Sequence, residues 1–156
     1  MKTTAARVLL VEDSEPFRNF VRAMLSEMPE LQIVGEISNG LQAVESARRL
    51  QPDLIVLDIG LPSLNGIEVA RRIRRISPGS KLLFLSQESS VEVVQEAILT
   101  GSHGYVVKLD AGSELLTAVN TVLRGEHFLG QRFVGHDFAG DSGQTLLRLL
   151  PALVEP

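Results

Sequence analysis

Asp53-Leu54-Ile55-Val56-Leu57-Asp58-Ile59-Gly60-Leu61-Pro62 is the stretch that decides the fold of this chain. Four consecutive apolar residues lie between two aspartates, and a glycine and a proline follow closely. An unbroken apolar run of this length suits a strand buried on both faces, as in a parallel sheet. Such a strand delivers Asp58 to its carboxyl end. The same design recurs on either side. Val8 to Val11 ends at Glu12-Asp13, and Leu31 to Ile37 is a further candidate strand. Leu82 to Leu85 ends at Ser86, and Tyr105 to Val107 ends at Lys108.

Helical spacing fills the gaps. Phe17, Phe20, Val21, Met24 and Leu25 share one face, with Ser14 placed to cap the helix. Leu41, Val44, Ala47 and Leu50 repeat the pattern, and Pro52 stops that helix. Ile67, Val69, Ala70 and Ile73 follow Asn65-Gly66, and Val91, Val94, Ala97 and Ile98 precede Gly101. Leu115, Leu116, Val119 and Val122 predict a fifth helix ending near Arg124. Five strand–helix units in succession imply a doubly wound α/β domain, a parallel sheet with helices on both faces. Residues 5–128 are expected to form it. Residues 129–156 break the pattern. They read as a turn-rich, then leucine-rich tail with no output domain, its leucines at 146, 147, 149, 150 and 153. A sixth helix, a dimer seam and the start of a linker all fit that composition.

Composition narrows the function. Fifteen Lys and Arg against 19 Asp and Glu give a net charge of −4, which excludes a free-standing basic nucleic-acid binder. The absence of cysteine excludes disulfides, thiolate metal sites and cysteine nucleophiles. His103, His127 and His136 lack ligand spacing and read as surface or packing residues. Arg71, Arg72, Arg74 and Arg75, with Arg48 and Arg49, read as solvated helix faces. No apolar run approaches the ~20 residues of a membrane span, and Met1 to Arg7 lacks a signal-peptide core. A cytoplasmic protein with no membrane association is expected.

In an open parallel sheet, sites form at the carboxyl ends of the strands. Glu12, Asp13, Asp58, Ser86 and Lys108 all fall there. Crowded carboxylates repel one another unless a cation intervenes. A hard divalent ion such as Mg²⁺ answers that with oxygen ligands and phosphate oxygens. Lys108 adds a point charge for a phosphoryl oxygen, and Ser86 a hydrogen-bond donor. A carboxylate can itself be the nucleophile that forms an aspartyl phosphate. The set reads as a phosphoryl-accepting site.

These motifs resemble the receiver domain of bacterial two-component response regulators. The resemblance rests on Val11-Glu12-Asp13-Ser14, the stretch from Asp53 to Pro62, Asn65-Gly66, Phe84-Leu85-Ser86 and Gly104-Tyr105-Val106-Val107-Lys108. Within the family the chain looks most like the NarL/FixJ branch. The resemblance implies a flavodoxin-like fold with five parallel strands in the order 2-1-3-4-5. It implies Asp58 as phosphoacceptor and Mg²⁺ held by Asp13, Asp58, Glu12 and the Gly60 carbonyl. Lys108 would pair with the phosphoryl group. Ser86 and Tyr105 would be the switch pair, with Ser86 moving to the phosphoryl oxygens and Tyr105 turning inward behind it. The implied partners are a sensor histidine kinase or phosphotransfer protein, an unidentified output protein and a possible homodimer.

Two departures stand out. Receivers usually carry a small residue after the switch hydroxyl, where this chain has Gln87. Gly60 and Glu88 stand at positions that border the attacking water in the family, so the resemblance implies an altered phosphoryl lifetime. The tail has only Arg132 and Arg148 against Asp137, Asp141 and Glu155, so DNA binding by this chain is not expected. The alternatives are an unphosphorylated receiver-like interaction module and the receiver part of a truncated DNA-binding regulator. A Mg²⁺-dependent phosphohydrolase is disfavoured because Gly60 stands where such enzymes need a second aspartate. The chain is therefore expected to catalyse only its own modification and dephosphorylation.

Overall fold

Strand β3, Leu54–Leu57, runs through the middle of a parallel sheet and is buried along its whole length. The computed structural model describes residues 4–136. In chain order the elements are β1 (Ala6–Val11), α1 (Glu15–Leu25), β2 (Leu31–Ile37), α2 (Gly40–Leu50), β3, α3 (Gly66–Ile76), β4 (Lys81–Ser86), α4 (Val91–Leu99), β5 (Gly104–Val107), α5 (Ala111–Leu123) and β6 (Phe128–Leu129). The strand order is β2-β1-β3-β4-β5-β6, and every pairing is parallel.

Alternate residues of each strand feed two cores, as period-two side chains must. Val8, Leu10, Val56 and Leu85 pack with Val21 and Leu25 of α1 and with Leu115 and Val119 of α5. Leu9, Val11, Leu57 and Phe84 pack with Ala43 of α2, Ile73 of α3 and Val94 of α4. This double burial explains why β1, β3, β4 and β5 contain unbroken apolar runs, while β2 at the sheet edge exposes Gln32 and Glu36. The helix ends follow local chemistry. Ser14, Asn39, Asn65 and Ser90 each accept a backbone N–H in the first turn of the helix they cap. Gln51 closes α2 in the left-handed conformation, φ 46°, just before Pro52. On α3, Arg71 pairs with Glu68 and Glu96, and Arg72 pairs with Glu68.

The sheet has six strands where the sequence pattern gave five. The extra strand lies outside β5, so the order of the other five stands. Gly125, at φ 86°, turns the chain back after α5. Phe128 then donates its N–H to the His103 carbonyl (2.9 Å), and Gly130 donates to the Tyr105 carbonyl (3.1 Å). Two residues are too few to show a strand period. Packing continues past residue 128, because Leu129 and Phe133 are both buried in the core. The leucines at 146–153 lie outside the described residues.

Candidate functional site

The end of β1 and the start of α1 are tied into one turn. Ser14 Oγ accepts from the Phe17 N–H (3.4 Å), while the Ser14 N–H donates to Glu12 Oε2 (2.9 Å). Arg18 donates to the Glu12 carbonyl (2.8 Å). This local network turns the Glu12 side chain under the turn and leaves Asp13 exposed. Beside it, Asp58 ends β3. Its N–H donates to the Val11 carbonyl (3.1 Å), and its Oδ1 accepts from the Ile59 N–H (2.7 Å). Gly66 opens α3 directly against Asp58, where a Cβ would lie 2.0 Å from the Asp58 carbonyl oxygen.

Lys108, at the end of β5, joins these two strand ends. Its ammonium donates to Glu12 Oε1 at 2.7 Å and to Asp58 Oδ2 at 2.9 Å. It also sits 4.6 Å from the centroid of the Phe17 ring, over its face. Glu12 and Asp58 are only 2 % and 5 % exposed, so this is charge pairing with little water. Burial pushes the Glu12 carboxyl above its ordinary value, against the hydrogen bonds from Lys108 and Ser14. Burial also opposes the Lys108 charge. The hydrogen bonds to Glu12 and Asp58 outweigh it and hold the ammonium above the ordinary lysine value.

A cavity of about 340 Å³ opens above this pair. Asp13, Asp58, Gly60, Ser86, Gln87, Glu88 and Lys108 line it, so most of the expected site residues are brought together. Glu12 adjoins it through Lys108. Tyr105 does not reach it. The Tyr105 ring is fully buried, between Phe84 (centroids 6.0 Å apart) and Phe133 (6.0 Å). Its hydroxyl donates to the Glu88 carbonyl (2.8 Å), and burial pushes its pKa up. The inward turn expected of Tyr105 on phosphorylation has no outward starting point here, because the ring is already inward. The Glu88 N–H donates to Ser86 Oγ (3.2 Å), so the Glu88 backbone links Ser86 to Tyr105.

Glu12, Asp13 and Asp58 each offer a carboxylate oxygen, and these lie within 4.8 Å of one another. Three hard anionic donors at the edge of a polar cavity fit Mg²⁺. Glu12 already spends both oxygens on Lys108 and Ser14. Asp13, exposed at the cavity wall, has more donor capacity to spare. The sequence pattern placed Phe17 only on the apolar face of a helix, yet it lines the cavity. Its position three residues beyond the cap was the available signal. Phe133 carried no such signal, since it lies beyond the last long periodic element.

An acidic cavity, a paired lysine and a buried hydroxyl at the carboxyl edge of a doubly wound sheet define a receiver-type signalling domain. Comparison with known proteins gives the family. Residues 8–120 match the response regulator receiver domain, and the chain belongs to that family. It is 35% identical over 126 residues to the nitrate/nitrite response regulator protein NarL of Escherichia coli (strain K12), covering 81% of this chain and 58% of that protein. It is 36% identical over 121 residues to the chemotaxis protein CheY of Halobacterium salinarum, covering 73% of this chain and 99% of that one. The solved receiver domain of the putative response regulator NarL from Mycobacterium tuberculosis superposes with a TM-score of 0.75 at 27% identity, covering 80% of this chain and all of that one. The chain thus spans 58% of the length of the first of these relatives. Receiver domains are the phosphorylation-dependent signalling modules of two-component response regulators. Among the described residues, no helix is long and apolar enough to cross a membrane.

Proposed function

We propose that this chain accepts a phosphoryl group on Asp58 and signals through protein partners. The observation that carries this is the Lys108 ammonium, held at 2.9 Å from Asp58 Oδ2 beside an open acidic cavity. A carboxylate oxygen of Asp58 attacks the phosphorus of a phosphohistidine on a histidine kinase or phosphotransfer protein, or of a small phosphodonor. A new O–P bond forms as the bond to the donor breaks, and the donor leaves with that electron pair. Catalysis is positioning and charge neutralisation. Lys108 holds positive charge where the phosphoryl oxygens arrive, and Ser86 supplies a hydroxyl to one of them. Asp13 and Asp58, with Glu12 and the Gly60 carbonyl close by, would hold Mg²⁺, which when bound neutralises phosphoryl charge. Gln87 and Glu88 stand at the cavity rim and set the lifetime of the phosphoryl group. The chain modifies and restores itself and turns over no other substrate.

Movement of Ser86 toward a phosphoryl oxygen withdraws the acceptor of the Glu88 N–H. The Glu88 carbonyl holds the Tyr105 hydroxyl, so the change passes to β5 and its edge. The phosphorylatable unit is the domain over residues 5–128 together with the segment to Phe133, whose side chain is buried in the same core. Residues 129–156 carry too little basic charge for DNA contact, which favours a protein output or a homodimer, in the cytoplasm. A second reading is the receiver part of a longer DNA-binding regulator, since the chain spans 58% of NarL. Intact mass after incubation with acetyl phosphate and Mg²⁺ tests the main proposal. One phosphoryl group on the wild type and none on Asp58→Asn is the expected result. No adduct on the wild type or on Gln87→Ala, with Mg²⁺ binding demonstrated, would leave an interaction module.

A further inference from the structure

Lys108 has a flexible four-carbon stem and two competing carboxylates, Glu12 at 2.7 Å and Asp58 at 2.9 Å. Both carboxylates draw on the same ammonium, so any third contact bears on where its charge sits. The ring of Phe17 lies 4.6 Å from the ammonium, which sits over its face. Only 15 % of the Lys108 side chain is exposed, so little water screens this contact. We propose that Phe17 is a positioning residue for phosphoryl acceptance: its π face holds the Lys108 ammonium at the Asp58 carboxylate. This role rests on the proposed phosphorylation of Asp58.

The ring is fixed independently of Lys108. The Phe17 N–H is capped by Ser14 Oγ, and Pro16 precedes it in the first turn of α1. Phe20 packs against it, with ring centroids 5.4 Å apart. Arg18, the next residue, bonds the Glu12 carbonyl and so ties the helix start to the same turn. A ring face attracts a cation through its quadrupole but takes no proton from it and accepts no strong hydrogen bond. It therefore holds the charge without competing with the two carboxylates for the ammonium's N–H groups. An aliphatic side chain of similar bulk would exclude water but supply no such attraction.

That difference is the test. Phe17 is replaced in the full chain by 4-fluoro-, 3,5-difluoro- and 3,4,5-trifluorophenylalanine, and by Leu and Tyr. Phosphorylation of Asp58 by acetyl phosphate with Mg²⁺ is timed by intact mass. Fluorination withdraws ring charge with almost no change of shape, so the logarithm of the rate should fall stepwise along the series. Phe17→Leu should slow the reaction about 3- to 10-fold, and Phe17→Tyr should stay within about twofold of the wild type. A flat fluorine series, whatever Leu does, reduces Phe17 to a packing role and overturns the proposal. A wild type that takes no phosphoryl group overturns the phosphorylation reading, and this role falls with it.

Discussion

The ring of Phe133 stands edge-on to the ring of Tyr105, with centroids 6.0 Å apart and planes at 87°. The same stretch of chain bonds the Tyr105 carbonyl through the Gly130 N–H. Arg132 reaches back to Asp110 with both prongs, at 2.6 and 2.9 Å. The segment after α5 is thus a strap over the edge of β5. Phe133 is only 2 % exposed, so Phe133→Ala should cost about 3–5 kcal/mol of stability, and Phe133→Leu no more than about 1.5 kcal/mol. Urea denaturation measures both. A loss below about 1 kcal/mol for the alanine variant would mean that the strap packs nothing of consequence.

Lys108→Met removes the cation from between Glu12 and Asp58. Phosphorylation should slow by about 100-fold or more, because no charge replaces it at the incoming group. Breaking a buried pair should also cost roughly 3 kcal/mol at pH 7. Glu12 is already raised by burial above its ordinary 4.5, and without Lys108 it rises further. A carboxyl raised in the folded state keeps its proton where the unfolded chain has lost it. The variant's deficit should therefore be small below about pH 4.5 and grow as pH rises. A deficit independent of pH would contradict the pairing seen here.

Gly66→Ala tests the approach of α3 to the site. The added Cβ would fall 2.0 Å from the Asp58 carbonyl oxygen, closer than any real contact. Either α3 or the end of β3 must shift. About 1–3 kcal/mol of stability should be lost, with slower phosphorylation of Asp58. Gly112→Ala, on α5, is the control, since nothing lies within 4 Å of the corresponding Cβ. Equal losses for the two variants would remove the argument.

At the other end of the sheet, His103 stacks on His127 with centroids 5.7 Å apart. Its Nδ1 accepts the Leu82 N–H at 3.1 Å, which requires the neutral ring. Burial, with the nearby charges of Lys81 and Arg74, holds its pKa at about 4 against an ordinary 6.5. Between those values the unfolded chain binds a proton that the folded chain refuses. Stability is therefore full above pH 6.5 and falls as pH drops toward 4. The loss from this group should be on the order of 1–2 kcal/mol, allowing for the part of the ring that meets solvent. His103→Phe should be less stable at pH 7 but flatter with pH. Parallel pH profiles would assign the acid loss to other groups.

Much of this protein is legible in its residues taken in order. Strands β1, β3, β4 and β5 announce themselves as apolar runs, because both faces of a parallel sheet are covered there and no polar alternation interrupts them, whereas edge strand β2 carries Gln32 and Glu36 exposed. Ser14 marks the start of α1 because a cap bond is local. The acidic pair at 12 and 13, Asp58, Ser86 and Lys108 follow from the strand ends, since the doubly wound topology gathers those ends on one edge. Tertiary structure decided the rest. It gave Glu12 to Lys108, set Phe17 beneath the ammonium, and stacked His103 on His127. It also added β6 and closed Phe133 over an inward Tyr105. Each of these depends on a contact between side chains far apart in the chain, or on a strand of two residues. Periodicity carries no trace of either, because it records which way a side chain faces and not what it meets.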